Sequence, residues 1–297
     1  MQSGGGAGRD GNVVGFRLAG LEVWLDARGS GVPLALPACH APFLASGAPH
    51  DGLQLRVSDG QLQSTKGWQR LFHDGDSWEL WRDGSGRRVF VPSSHSPPRR
   101  QVSVDAAFRS GEVVGEFCTG QLPAPSVYPL RDIDMAVYAN WLAESGDLIL
   151  HAAGIDEEGV GYAFLGPSGA GKSTLAGELA SLPSITVLGE DQVILRHESG
   201  EFTVYGTPWH TNPARCSPGG VPLRKLFFLD RANGHGIEPR APRSAFELLM
   251  QNALIPYYNR AGVERILDTL PRLVEQVPCF TIGFQVGADV MALIRGA

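Results

Sequence analysis

Gly166 to Ser173 reads GPSGAGKS, two glycines five residues apart followed by a lysine and a hydroxyl. This G-x-x-x-x-G-K-[ST] spacing suits a loop that holds nucleotide phosphates. Its glycines let backbone N–H groups converge on phosphate oxygens, and the helix that follows adds partial positive charge at its N-terminus. On this reading Gly166, Ser168, Gly169, Ala170, Gly171, Lys172, Ser173 and Thr174 contact the nucleotide, ATP or its analogue. Lys172 reaches the β- and γ-phosphates, and Ser173 places a hydroxyl on Mg²⁺. A glycine-rich turn without a ligand is the bland alternative.

Two further features carry chemistry. Glu190-Asp191 closes the apolar run ITVLG. An acidic pair in an arbitrary place is a solvated surface, but on the next strand after a phosphate loop it can ligate Mg²⁺ or accept a proton from an attacking hydroxyl. Switch GTPases and transporter ATPases generally place that acid much later in the chain. His151, in LILHAAGI, reads either as a hydrogen-bonded structural residue at the end of an apolar strand or as a neighbour of the γ-phosphate. A tight turn after it would bring Leu150 to Ala153 alongside the strand that delivers the loop.

These residues need an α/β frame. LILHAAGI and GVGYAFLG, flanking the turn residues Asp156 to Gly159, read as two extended segments. KSTLAGELAS reads as a short helix and ITVLGED as a strand, with further strands in VILRHESGEFTVYG and LRKLFFLD. SAFELLMQNAL begins with a candidate capping box, Ser244 with Glu247, and VERILDTLPRLVEQV has helical spacing. Upstream, LRDIDMAVYANWLAESG is a helix ending at Gly146. Residues 13–125 read as a small, mostly β domain, with a hairpin in SWELWRDGSGRRVFV turning at Asp83 to Gly86, and residues 126–297 as the loop-bearing domain. Residues 1–12 read as a flexible glycine-rich leader, 93–100 as a proline-bearing loop, and 118–129 as the boundary.

Composition narrows the partners. The 297 residues are 43% hydrophobic and carry a net charge of -6, so there is no large cationic field for nucleic acid or an anionic membrane surface. No apolar run reaches spanning length. The pairs Arg87-Arg88 and Arg99-Arg100 read as solvated surface. Cys39, Cys118, Cys216 and Cys279 are scattered and read as reduced thiols of a cytoplasmic protein. His40, His50, His73 and His95 lack metal-ligand spacing, and Trp24, Trp68, Trp78 and Trp81 read as core or hairpin residues. In YGTPWHTNP, Trp209 or His210 either contacts a substrate or packs in a turn, and Arg215 and Arg224 either neutralise phosphate charge or are solvated.

LILHAAGI, GPSGAGKST and VLGEDQVILR, in that order and spacing, resemble the core of HPr kinase/phosphorylase, itself similar to ATP-dependent phosphoenolpyruvate carboxykinase. YGTPWH, VPLRKLFFL and a β-rich N-terminal half look like the HPr-kinase-like proteins encoded beside bacterial peptide-modifying enzymes, including those of lasso-peptide clusters. The resemblance implies an α/β phosphate-loop kinase domain behind an N-terminal β domain. It implies a Mg²⁺-dependent transfer from ATP to serine of a peptide or small protein, with a homo-oligomer open. His151, Lys172, Glu190 and Asp191 would be the catalytic residues, with Ser173, Glu190 and Asp191 near the metal. The family usually has two aspartates where this chain has Glu190-Asp191, and its later glycine-rich signature is missing, so HPr as substrate, phosphorolysis and the family's hexameric assembly are not carried over to this chain. An ATP-sensing module without catalysis and a kinase of a small metabolite are the alternatives.

Overall fold

The computed structural model describes residues 12–47, 52–75, 77–92, 99–118, 126–209, 215–230, 234–287 and 289–297. The leader apart from Asn12, His50, His95, most of the 93–100 loop, residues 119–125 of the expected boundary and His210 to Pro213 lie outside them. The chain divides into two compact units, Met1–Arg17 with Leu21–Trp141, and Leu18–Gly20 with Leu142–Ala297.

In the first unit, among the described residues, eight strands form one sheet: β1 (Val13–Leu18), β2 (Leu21–Asp26), β3 (Leu53–Asp59), β4 (Gln69–His73), β5 (Trp78–Arg82), β6 (Arg88–Pro92), β7 (Arg100–Val104) and β8 (Ser110–Gly115). Their order is β1-β2-β3-β8-β7-β6-β5-β4. Along β3, Leu53, Leu55 and Val57 are buried while Gln54 and Arg56 are exposed, the two-residue period of a half-buried strand. The β5–β6 pair is the hairpin expected at Asp83 to Gly86. Trp24 is core, and Trp78 packs its ring 5.0 Å from Phe72 and 5.8 Å from Phe90. His40 is also core, edge-on to Phe16 at 5.2 Å. Arg100 departs from the solvated reading: it is buried, donates to the Arg131 carbonyl and lies 3.6 Å from Asp132. Its burial lowers its pKa from the usual value. Helix α1 (Asp134–Ala143) follows and ends before Gly146.

The second unit is a mixed α/β layer structure. Its strands are β9 (Leu148–Leu150), β10 (Ala152–Glu157), β11 (Val160–Leu165), β12 (Ile185–Gly189), β13 (Val193–Glu198), β14 (Glu201–Tyr205), β15 (Gly220–Leu229), β16 (Gly236–Pro239) and β17 (Cys279–Gly283). Strands β10 and β11 form the expected antiparallel hairpin. Its two turn residues, Glu158 and Gly159, both have positive φ, the conformation that matches strand twist in a two-residue turn. Strand β15 runs parallel to β11 and to β17. Alternation sends neighbouring residues to opposite faces. Phe164 and Phe227 pack with Leu175, Leu179 and Ile294, from α2 (Lys172–Leu179) and α5 (Val290–Gly296). Leu165, Leu226 and Phe228 pack with Leu249, Ile266 and Leu270, from α3 (Pro242–Asn252) and α4 (Arg260–Gln276). The sheet is thus covered on both faces by helices.

Two local expectations change. Helix α3 starts at Pro242 rather than at a cap on Ser244, because proline suits the first turn, where its missing N–H costs nothing. Ser244 instead accepts a 2.6 Å hydrogen bond from Arg240 Nη1, and Glu247 pairs with Arg243 at 3.4 Å. The run LILHAAGI is two strands rather than one, broken at His151. Among the described residues, no helix is long and apolar enough to cross a membrane.

Candidate functional site

Strand β11 feeds the Gly166–Gly171 loop directly into α2. Its last residue, Leu165, is held between Ala152 of β10 and Phe228 of β15, so the loop starts from a fixed edge. Gly169 (φ 78°) and Gly171 (φ 108°) adopt backbone conformations that favour glycine. A Cβ on Gly171 would also lie 3.3 Å from Phe284 Cζ. Among the described residues no side chain caps α2, so the first-turn N–H groups stay available to an anion. Lys172 is 5% exposed, and its Nζ donates to the carbonyls of Gly166 at 2.7 Å and Pro167 at 3.2 Å, closing the loop on its own ammonium. Burial lowers the Lys172 pKa from the usual lysine value, and the Asp191 carboxylate opposes that fall. Ser168, Gly169, Ser173 and Thr174 are exposed, Ala170 is half-buried and Gly166 is buried.

The acid pair and the histidine meet for a topological reason. Strand β10 pairs with β12, Gly154 opposite Gly189, while β9 pairs with β13, Leu150 opposite Val193. The β9–β10 break and the β12–β13 break therefore fall at the same level. His151 occupies the first and Glu190 to Gln192 the second. His151 Nδ1 lies 3.3 Å from Asp191 Oδ1, with both side chains partly open to solvent, and the His151 N–H donates to the Asn252 carbonyl at 2.7 Å. The expected placement of Ala152 and Ala153 beside the loop strand holds, whereas Leu150 pairs with β13 instead.

Glu190 is buried and paired. It is 4% exposed and pairs with Arg215 Nη1 at 3.3 Å. The Arg215 guanidinium packs over α2, where a Cβ on Gly177 would meet Nη1 at 3.0 Å. Arg215, its side chain 35% exposed, is thus paired with an acid, a contact between residues 25 positions apart that local pattern does not announce. Thr207, in the YGTPW segment, is fully buried, and its hydroxyl donates to the Gln192 carbonyl at 2.8 Å, tying that segment to the Asp191 turn. Trp209 is half-buried, and Arg224 pairs with Glu201 at 3.3 Å on the surface.

The donor set suits magnesium. Among the described residues no group of three or more His, Cys, Asp and Glu side chains could by itself hold a metal ion. Magnesium rarely needs such a cage: it uses one or two carboxylates with phosphate oxygens and water. The exposed Ser173 hydroxyl and the open Asp191 carboxylate match that mode, while Glu190 is taken up by Arg215.

No protein-family profile and no curated protein matches the chain. Among solved structures, the chain is similar to the Hpr(Ser) kinase/phosphatase from Coxiella burnetii, at 12% identity over 50% of this chain and 86% of that one, with a TM-score of 0.30.

Proposed function

We propose that the second unit is a magnesium-dependent phosphotransferase that moves the γ-phosphoryl group of ATP to a hydroxyl, a serine on a peptide or small protein, in the cytoplasm. The observation that carries this reading is the strand register: β10 pairs with β11, Ala152 opposite Leu165, which sets the His151–Asp191 pair at the level where the lysine-closed glycine loop begins. A loop that only bound nucleotide would need no proton acceptor there.

The chain's own groups divide the work as follows. The loop amides and the uncapped start of α2 hold the phosphates, and Lys172 exchanges its two carbonyl partners for β- and γ-phosphate oxygens. Magnesium, held through Ser173 and Asp191, would supply neutralisation of charge on the transferring group. The acceptor hydroxyl forms the new P–O bond as the β–γ bridging bond breaks and ADP leaves, and its proton passes to the His151–Asp191 pair. Positioned acid–base groups of this kind contribute roughly 10²–10⁴-fold to rate. Glu190 holds Arg215 against α2.

The test is incubation of the full chain with γ-labelled ATP, Mg²⁺ and serine-bearing peptides, with Ser→Ala peptides as controls. Label on the serine peptides alone supports the reading, and absence of both transfer and ADP formation sinks it. The engagement of Glu190 by Arg215 favours one second reading, an ATP-sensing module that controls a partner without chemistry. That reading requires ATP binding with no turnover.

A further inference from the structure

The end of β12 and the acid turn after it are gripped at alternate residues by the segments on either side of residues 210–214. The Leu188 carbonyl accepts from the Ser217 N–H at 3.2 Å, the Glu190 carboxylate accepts from Arg215 Nη1 at 3.3 Å, and the Gln192 carbonyl accepts from the Thr207 hydroxyl at 2.8 Å. Asp191, between the last two, is the residue that meets His151. The approach is close enough to require glycine at 206, where a Cβ would run into the carbonyl oxygens of Ser217 and Leu188. Residues 206–207 and 215–217 thus cradle the acid turn and leave Asp191 to the other side.

Gly177 supplies an independent observation. It lies inside α2 with an ordinary helical backbone, so no turn or positive φ calls for glycine there. Glycine weakens a helix interior relative to alanine. What fills the place of the missing side chain is Arg215: its Nη1, Cζ and Nη2 would lie 3.0, 3.2 and 3.2 Å from a Cβ on Gly177. Three nearly equal distances lay the planar guanidinium broadside on the helix, a seat that suits arginine and not the compact ammonium of lysine. Glu190, 4% exposed, holds the same guanidinium from the other side. Because α2 begins at Lys172, this clamp joins the neighbour of Asp191 to the helix whose first turn faces the phosphates.

We infer that Arg215 is a positioning residue for Asp191: seated on Gly177 and bound by Glu190, it fixes the acid turn against α2 and so sets the distance between the proton acceptor and the phosphoryl group. Glu190 then belongs to the clamp and not to magnesium, which takes its protein oxygens from Ser173 and Asp191. The role rests on the transferase reading above, since the clamp matters to transfer only through Asp191. Displacement of a reacting group by about 1 Å costs on the order of 10²-fold in rate, so a small shift of the guanidinium is enough to be measured.

Gly177→Ala in the full chain is the mildest test, because alanine favours the helix while its methyl pushes the guanidinium off its seat. Single-turnover transfer from γ-labelled ATP to a serine peptide should slow about 10-fold, with Mg-ATP affinity by calorimetry within about threefold of wild type and Tm no lower. Arg215→Gln should slow transfer about 10²-fold, and adding Gly177→Ala to it should change nothing further, since both act through one contact. Glu190→Gln keeps an oxygen for Arg215 and removes the charge. The Mg²⁺ concentration at half-maximal ATP binding should stay within about threefold of wild type, whereas loss of a metal ligand would raise it roughly tenfold or more. Transfer by Gly177→Ala at the wild-type rate, effects of Gly177→Ala and Arg215→Gln that multiply, loss of ATP binding together with transfer, or a tenfold rise in the Mg²⁺ requirement of Glu190→Gln overturns the clamp and leaves the transferase reading standing. Absence of transfer by the wild type overturns both.

Discussion

Replacing Lys172 by methionine separates the loop's binding role from its structural one. The ammonium is 5% exposed and holds the carbonyls of Gly166 and Pro167 at 2.7 and 3.2 Å. Set against one phosphate charge at about 4 Å in an effective dielectric near 20, it contributes about 4 kcal/mol. Releasing the two carbonyl hydrogen bonds takes back part of that, leaving about 2–3 kcal/mol, or roughly 30- to 150-fold in ATP affinity. Stability should respond differently. Burial lowers the Lys172 pKa below the ordinary lysine value, so the charged form is disfavoured in the folded state. That cost is present at neutral pH and is relieved as pH rises through the folded value toward 10.5, the value in the unfolded chain. Methionine has similar length and no charge; losing the two carbonyl hydrogen bonds and relieving the buried charge oppose each other, so Lys172→Met should leave Tm within about 2 °C of wild type and abolish any alkaline gain in stability. The assay is ATP titration paired with thermal unfolding at pH 7 and pH 10. ATP affinity within threefold of wild type would refute the phosphate role. A loss of many degrees in Tm would show that Lys172 is there to hold the loop together.

Two further substitutions probe the frame. Gly171→Ala forces φ of 108° on a residue with a Cβ and sets that Cβ 3.3 Å from Phe284. It should cost about 1–2 kcal/mol in urea unfolding and weaken ATP binding, and an unchanged midpoint would show that the loop's observed backbone is not required. Arg196→Ala removes the guanidinium whose Nε lies 2.9 Å from Asp147 Oδ2, leaving that carboxylate 4% exposed, and should cost about 3–5 kcal/mol. Burial raises the Asp147 pKa above 3.8 and Arg196 opposes the rise, so the penalty should shrink as pH falls through the folded value toward 3.8. A penalty that is flat between pH 7 and pH 4 would contradict this account of Asp147.

Much of this arrangement is written locally. The glycine loop, the β10–β11 hairpin with Glu158-Gly159 at its turn, the β5–β6 hairpin and the helical period of α4 each follow from residues close in sequence. Pro271 lies inside α4, where the amphipathic pattern overrides it. What the sequence hides is long-range. LILHAAGI is apolar on both sides of His151, so nothing local tells that β9 and β10 pair with different partners, β13 on one side and β11 and β12 on the other. That switch is what sets His151 against Asp191. The Glu190–Arg215 pair joins the acid turn to a residue 25 positions on, and the contact of Phe284 with Gly171 needs β17 brought beside β15 from about 50 residues away. Arg100 looks like half of a solvated basic pair and is instead buried. Tertiary partners decide such cases, and charge pattern alone does not.

Phosphoryl transfer at the His151–Asp191 pair is measured by single-turnover reaction of γ-labelled ATP with a serine peptide, for wild type and for Asp191→Asn. Asparagine keeps the shape beside His151 but neither takes the hydroxyl proton nor offers magnesium a charged oxygen. The transfer rate should fall roughly 10²–10⁴-fold while ATP affinity stays within about tenfold of wild type. Transfer at the wild-type rate by Asp191→Asn, or no transfer by the wild type itself, would contradict transfer at this pair.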